Sequence, residues 1–97
     1  MATYVLLFRF TQKGVENIKE APARIEKAKN LFKDLGAEVK QFFALMGEYD
    51  TMFIVEAPND ETVAKASLAI ASFGNVSPQT LRAFTEQEFG QIVADLP

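Results

Sequence analysis

Apolar residues recur at every second position from Tyr4 to Phe10, the spacing of a β-strand. Tyr4, Leu6, Phe8 and Phe10 take one face, and Val5, Leu7 and Arg9 take the other. Thr11-Gln12-Lys13-Gly14 breaks the run, Val15 to Glu20 reads as a first helical turn, and Pro22 suits the opening of a longer helix. There the period lengthens: Ile25, Ala28, Phe32 and Leu35 recur at three- and four-residue spacing and form one apolar stripe, which Gly36 ends. Two more strand-like runs follow, Ala37 to Met46 and Thr51 to Ala57, with Gly47-Glu48-Tyr49-Asp50 between them as the turn of a central hairpin.

Pro58-Asn59-Asp60 closes the third strand, and Asn59 or Asp60 caps a second helix that Gly74 terminates. This helix has one apolar face of Val63, Ala66, Ile70 and Phe73 and a second of Ala64, Leu68 and Ala71, so cover is expected on more than one side. Gln79 to Phe84 reads as a fourth strand. Thr85-Glu86-Gln87-Glu88 is a capping box opening a final helix, whose Phe89, Ile92, Val93 and Leu96 are expected to cover the second face of the preceding one.

The order βαββαβ plus a terminal helix predicts an α+β fold of ferredoxin-like type, a four-stranded antiparallel sheet with two helices on one face, as a single domain over residues 1–97. Helices cover one face of such a sheet only, and a solvated second face requires apolar and polar residues to alternate. Here they do not. Val5 and Leu7 oppose Leu6 and Phe8, Met52 and Ile54 oppose Phe53 and Val55, and the adjacent Phe42 and Phe43 put an aromatic ring on each face. An apolar face of that extent marks an interface or a binding site, which predicts a homodimer or higher oligomer with two sheets packed face to face.

Composition narrows the chemistry. The chain has neither cysteine nor histidine, which removes disulfides, thiolate nucleophiles, the usual haem and zinc ligands and the commonest general acid/base. No clustered acids suggest a magnesium site, so no metal and no cofactor is expected. A net charge of −3, with the cations dispersed, argues against nucleic acid; the densest group, Arg24, Lys27, Lys29 and Lys33, alternates with acids and reads as a solvated helical face. No apolar run approaches a membrane span and no signal-type segment opens the chain, so the expected location is cytoplasmic. Phosphate-loop and nucleophile-elbow patterns are absent.

Gly47-Glu48-Tyr49-Asp50, followed by an apolar strand ending Val55-Glu56-Ala57-Pro58, resembles the signature of the GYD-domain family. The opening Ala2-Thr3-Tyr4-Val5-Leu6-Leu7 with Thr11 and Gly14 is similar to that family's start, as are the later runs Phe73-Gly74-Asn75-Val76 and Thr80-Leu81-Arg82-Ala83-Phe84. The resemblance covers nearly the whole chain and implies a dimeric α/β-barrel fold without a settled activity. A looser likeness from Gly47 onward is to the effector-binding domain of feast/famine (leucine-responsive) regulators, whose DNA-binding helix-turn-helix this chain lacks.

Two constellations carry candidate chemistry. Asp50 is a candidate base with Tyr49 as hydrogen-bond donor or proton source; the structural alternative, favoured because turn aspartates are common, is that Asp50 accepts backbone N–H bonds at the hairpin end. Arg9 and Glu56 lie late in strands taken as parallel neighbours, and with Arg82 they are expected to frame a small anionic or zwitterionic ligand, or else to form interfacial ion pairs. The leading expectation is a homo-oligomeric module that binds a small polar or anionic metabolite. The alternatives are a cofactor-independent isomerase or oxygenase acting on an acidic enol-type substrate, and a purely structural oligomer.

Overall fold

The computed structural model describes residues 1–97. Strand β1 (Ala2–Phe10) is followed by a short helix α1 (Gln12–Glu16), a 3-10 turn (Ile18–Glu20) and the long helix α2 (Ala21–Asp34). Strands β2 (Glu38–Ala44) and β3 (Thr51–Ala57), helix α3 (Asp60–Ser72), strand β4 (Val76–Ala83) and helix α4 (Glu86–Ala94) complete the chain. The strands form one sheet in the order β2-β3-β1-β4, and every neighbouring pair is antiparallel. This is the ferredoxin-like βαββαβ arrangement with an added C-terminal helix.

Period-two patterning decides which face meets the helices. Tyr4, Leu6 and Phe8 of β1 and Phe53, Val55 and Ala57 of β3 are buried, and α2 and α3 close over them with Ala28, Phe32, Val63, Ala66 and Ile70. Phe53 sits at the centre, meeting Phe8, Phe32 and Phe42 edge-on at 5.3, 6.1 and 6.0 Å between ring centres, the orientation that aromatic quadrupoles favour. The adjacent phenylalanines of β2 divide as their alternation requires: Phe42 packs on the core, while Phe43 lies on the open face, 49% exposed.

Both edge strands carry devices that a regular pattern would not contain. β2 slips register between Val39 and Gln41, leaving Lys40 as the extra residue of a bulge; a bulge and a lysine together blunt an edge against unwanted pairing. β4 begins earlier than the expected Gln79, at Val76, and runs through Pro78 opposite Phe8. A proline without an N–H is tolerated there because β4 has a neighbour on one side only.

The expected packing of the last helix is overturned. α4 has no extensive contact with the other elements, its Phe89 and Leu96 are 60% and 64% exposed, and Leu68 on the face of α3 that it was expected to cover is 71% exposed. Only Phe84 and Thr85 separate β4 from α4. The capping box at Thr85 starts the helix at once, so the chain leaves the end of the sheet instead of folding back over α3. The molecule is correspondingly elongated, 51 × 30 × 18 Å.

Candidate functional site

The loop between β2 and β3 joins them to the end of β1. Gly47 has φ +120°, a conformation that L side chains rarely adopt. Beyond the last β1–β3 ladder pair, Phe8 with Thr51, the Asp50 N–H donates to the Phe8 carbonyl at 2.8 Å and the Asp50 carboxylate accepts from the Phe10 N–H at 2.8 Å. The Leu45 N–H donates to the Asp50 carbonyl at 2.8 Å. Asp50 therefore ties the loop to β1 with both its backbone and its side chain. Its neighbour Tyr49 turns to the open face, donates to Gln79 of β4 and lies under the Arg9 guanidinium, 4.8 Å from the ring centre, while Arg9 also pairs with Glu48.

Arg9, Glu56 and Arg82 do not converge. β1 and β3 are antiparallel, not parallel, so Glu56 sits beside Thr3 and not beside Arg9. Six residues of extended chain separate Thr3 from Arg9, about 20 Å. Glu56 instead lies 3.8 Å from Lys40 on the β2 edge. Arg82 stands opposite the buried Tyr4, on the helix-bearing face, whereas Arg9 and Glu56 occupy the open one. The Arg82 guanidinium covers the Tyr4 and Phe84 rings at 5.5 and 4.5 Å, and one of its nitrogens lies 3.9 Å from Glu88. Nearby, the Tyr4 hydroxyl donates to Asp60 in the first turn of α3. That hydrogen bond, reinforced by burial, holds the phenol above its usual pKa.

A concave site lies elsewhere, between the helices and the covered face of the sheet. A cavity of about 330 Å³ opens there, and ten of its fifteen lining residues are hydrophobic, including Phe8, Phe10, Ile25, Phe42, Phe53 and Ile70. α2 lines it with Arg24, Ile25 and Lys27 and with the small side chains of Ala21 and Ala28, which leave space that larger residues would occupy. The remaining lining is Lys13, Arg24, Lys27, Thr51 and Asn75, with no carboxylate among them. None of the three cations has an acidic partner within salt-bridge distance.

Phe73, at the C-terminal end of α3, organises the cationic side. The Lys13 ammonium donates to the Phe73 carbonyl at 3.0 Å, and the Lys27 ammonium stands 4.1 Å from the centre of the Phe73 ring. Arg24 donates to the Asn17 and Gly14 carbonyls at 2.7 and 3.2 Å. Beside this end of the cavity the segment after β1 is tied to the residues that precede β4. The Thr11 N–H donates to the Asn75 carbonyl at 3.1 Å, its hydroxyl donates to the Gly74 carbonyl at 2.6 Å, and the hydroxyl oxygen accepts from the Gly14 N–H at 3.1 Å. A Cβ at Gly14 would stand 2.1 Å from the Asn75 carbonyl oxygen, so only glycine permits the approach.

The sequence places Arg24 and Lys27 on a solvated face, and Lys27 is exposed, but it did not show that both residues border this cavity. The available clue was their helical phase: they flank Ile25 and Ala28 on the same turns and so border the apolar stripe. Lys13 carried no periodic clue, because it lies in the segment after β1. No group of three or more acidic side chains converges anywhere in the fold, and no helix is long and apolar enough to cross a membrane.

Over 84 residues the chain is 38% identical to a protein of Thermus thermophilus named glutamine synthetase and cystathionine beta-lyase binding protein, spanning 86% of this chain and 88% of that one. A crystal structure of a Thermus thermophilus protein superposes with a TM-score of 0.57 at 22% identity, over 88% of this chain and 95% of that one. The leucine response regulatory protein of Mycobacterium tuberculosis superposes with a TM-score of 0.65 at 15% identity, over 87% of this chain and 51% of the regulator. At such identities these structural likenesses concern the fold alone. The GYD domain itself matches residues 4–93, and with that match over nearly its whole length the chain belongs to the GYD-domain family.

Proposed function

We propose that this chain is a homo-oligomeric binding module that holds a small anionic metabolite in the cavity between its helices and sheet. The observation that carries the reading is the coincidence of an apolar cavity with Lys13, Arg24 and Lys27, none of them neutralised by an acid, in a chain of net charge −3. Unpaired cations converging on an apolar hollow are the arrangement that recognises an anion and orients it. In this reading the open sheet face receives a second copy, with Arg9 and Glu48 at one rim and Glu56 and Lys40 at another as interfacial ion pairs. Tyr49 and Asp50 hold the loop between them and move no proton.

A native mass spectrum of untagged protein, purified without added ligand, tests both halves. A dimer or a multiple of it, with a small adduct released on activation, is the expected result. A bare monomer would remove the assembly, and an oligomer of unadorned mass would shift the weight to the second reading.

That second reading is favoured by the 38% identical relative, named for binding two enzymes. It makes this chain a docking partner for metabolic enzymes. Immobilised chain exposed to purified glutamine synthetase and purified cystathionine beta-lyase should retain at least one of them. Failure to retain either would confine that role to the relative.

A further inference from the structure

The lining of the cavity specifies more than a negative charge, and we infer that it selects a monocarboxylate with an aromatic or branched apolar body and rejects the matching α-amino acid. This inference rests on the proposed anion site and names the class of molecule that fills it.

Size comes first. A cavity of roughly 150 Å³ lined by apolar side chains accommodates benzene; this one, at about 330 Å³, has room for a six-membered ring and a short acid-bearing arm. The inner lining supplies Phe8, Phe42, Phe53 and Ile70, with ring edges and faces against which a flat or branched body packs. A polar body would lose its hydration there against too few partners, since Thr51 and Asn75 are the only neutral polar residues lining the cavity.

Charge decides the remainder. Arg24 already gives two donors to the Asn17 and Gly14 carbonyls, and Lys13 gives one to the Phe73 carbonyl. Lys27 donates to no protein oxygen; its only partner is the Phe73 ring. A carboxylate beside the Phe73 ring would therefore meet the whole of the Lys27 ammonium, with the remaining donors of Lys13 on the carbonyl side of the same residue. An α-ammonium attached to the same ligand would find no carboxylate in the lining and three cations around it. Repulsion between like charges at short range and the desolvation of an unpaired ammonium both act against that molecule. The amino group is thus the feature that the site excludes.

The test uses a matched pair, 3-phenylpropanoate and L-phenylalanine, which share the ring, the chain and the carboxylate and differ by the ammonium. Glutarate serves as a polar anion of similar reach. Each is titrated into the intact protein while proton–nitrogen correlation spectra follow the amides of Phe73, Asn75 and Val76. We expect saturable shifts with 3-phenylpropanoate and at least about tenfold weaker binding of phenylalanine. Lys27→Met should weaken 3-phenylpropanoate by about tenfold or more, the loss of one charge-assisted contact. Lys33→Met, on the same helix but outside the lining, should leave the affinity unchanged. Equal or tighter binding of phenylalanine, or binding of glutarate alone, overturns the selectivity and leaves an anion site standing. An absence of shifts with all three probes overturns the site itself. A Lys27→Met protein that binds 3-phenylpropanoate as tightly as the parent overturns the placement of the carboxylate.

Discussion

Asp50 ties the hairpin loop to β1 through both its backbone and its side chain. Its carboxylate accepts the Phe10 N–H in a partly buried setting, at the point where the β3–β1 ladder stops. Removing the acceptor strands that amide, at a cost of about 1–3 kcal/mol. Asp50→Ala should therefore lower the melting temperature by several degrees, whereas Asp50→Asn, which keeps a carbonyl oxygen at the same place, should lose much less. Thermal unfolding of the two variants decides the matter; two unchanged transitions would free Asp50 from this role. Tyr4 supplies the matching pH-dependence. The Asp60 hydrogen bond, with burial, raises its phenol above the usual value of about 10. The folded state then binds this proton more tightly than the unfolded chain, so the contribution is complete below that value and is lost as pH rises toward the folded one. Stability should fall on entering the alkaline range, and Tyr4→Phe should flatten the decline. In a Tyr49→Phe background, tyrosinate absorbance reports Tyr4 alone and should appear only above the usual range.

At the scale of elements, the least supported piece is α4. A nine-residue helix with few tertiary contacts is marginal by itself, because helix nucleation is costly and few hydrogen bonds repay it. Its capping box is consequently its main support: the Thr85 side chain accepts from the Glu88 N–H at 3.1 Å, and the Glu88 carboxylate accepts from the Thr85 N–H at 2.8 Å. The second of these bonds, more than any other influence, holds the Glu88 carboxyl below its ordinary pKa. Its contribution is therefore present above the ordinary glutamate value and disappears as pH falls through the lowered one. Thr85→Ala should cost α4 about 1 kcal/mol. Amide exchange from Phe89 to Val93 should accelerate about fivefold, with the Phe53 and Val55 amides unaffected. Equal acceleration in β3 would mean that α4 is bound to the body after all.

For the molecule as a whole, the governing fact is that a sheet with helices on one side has a second side. Val5, Leu7, Met52 and Ile54 remain only partly covered there, beside Phe43 and Leu81 at 49% and 40% exposure. Ile54 lies at the middle of that surface, opposite Val5 on one side and Gln41 on the other. A carboxylate at this position buried against a partner sheet would be uncompensated. Ile54→Asp should convert the proposed oligomer into monomers in sedimentation experiments while the far-ultraviolet circular dichroism stays that of the parent. An intact oligomer would show that the sheets do not meet face to face.

Local rules made most of the architecture legible before any coordinates. The two-residue period identified β1 and β3, the helical stripe identified α2, and the capping residues Asn59 and Thr85 marked the starts of α3 and α4, because each depends on neighbours a few positions away. The same locality explains the two errors of extent. The fourth strand reads as starting at Gln79 until β4 is known to be an edge strand that accepts Pro78, and the exposed face of α3 reads as covered until the direction of α4 is known. The site was less legible still. Arg9, Glu56 and Arg82 are chemically suited to an anion, but an antiparallel ladder places two of them at opposite ends of one face and the third on the other face. Arg24 and Lys27 share α2 while Lys13 comes from α1, and the Thr11–Asn75 junction and the packing of α2 against α3 bring Lys13 and the two α2 cations around one cavity. Sequence by itself determined the elements and the two apolar faces of the sheet, since periodicity and capping are local properties. Which charges share a hollow was decided by tertiary structure alone, since it depends on strand direction and on distances between residues far apart in the chain.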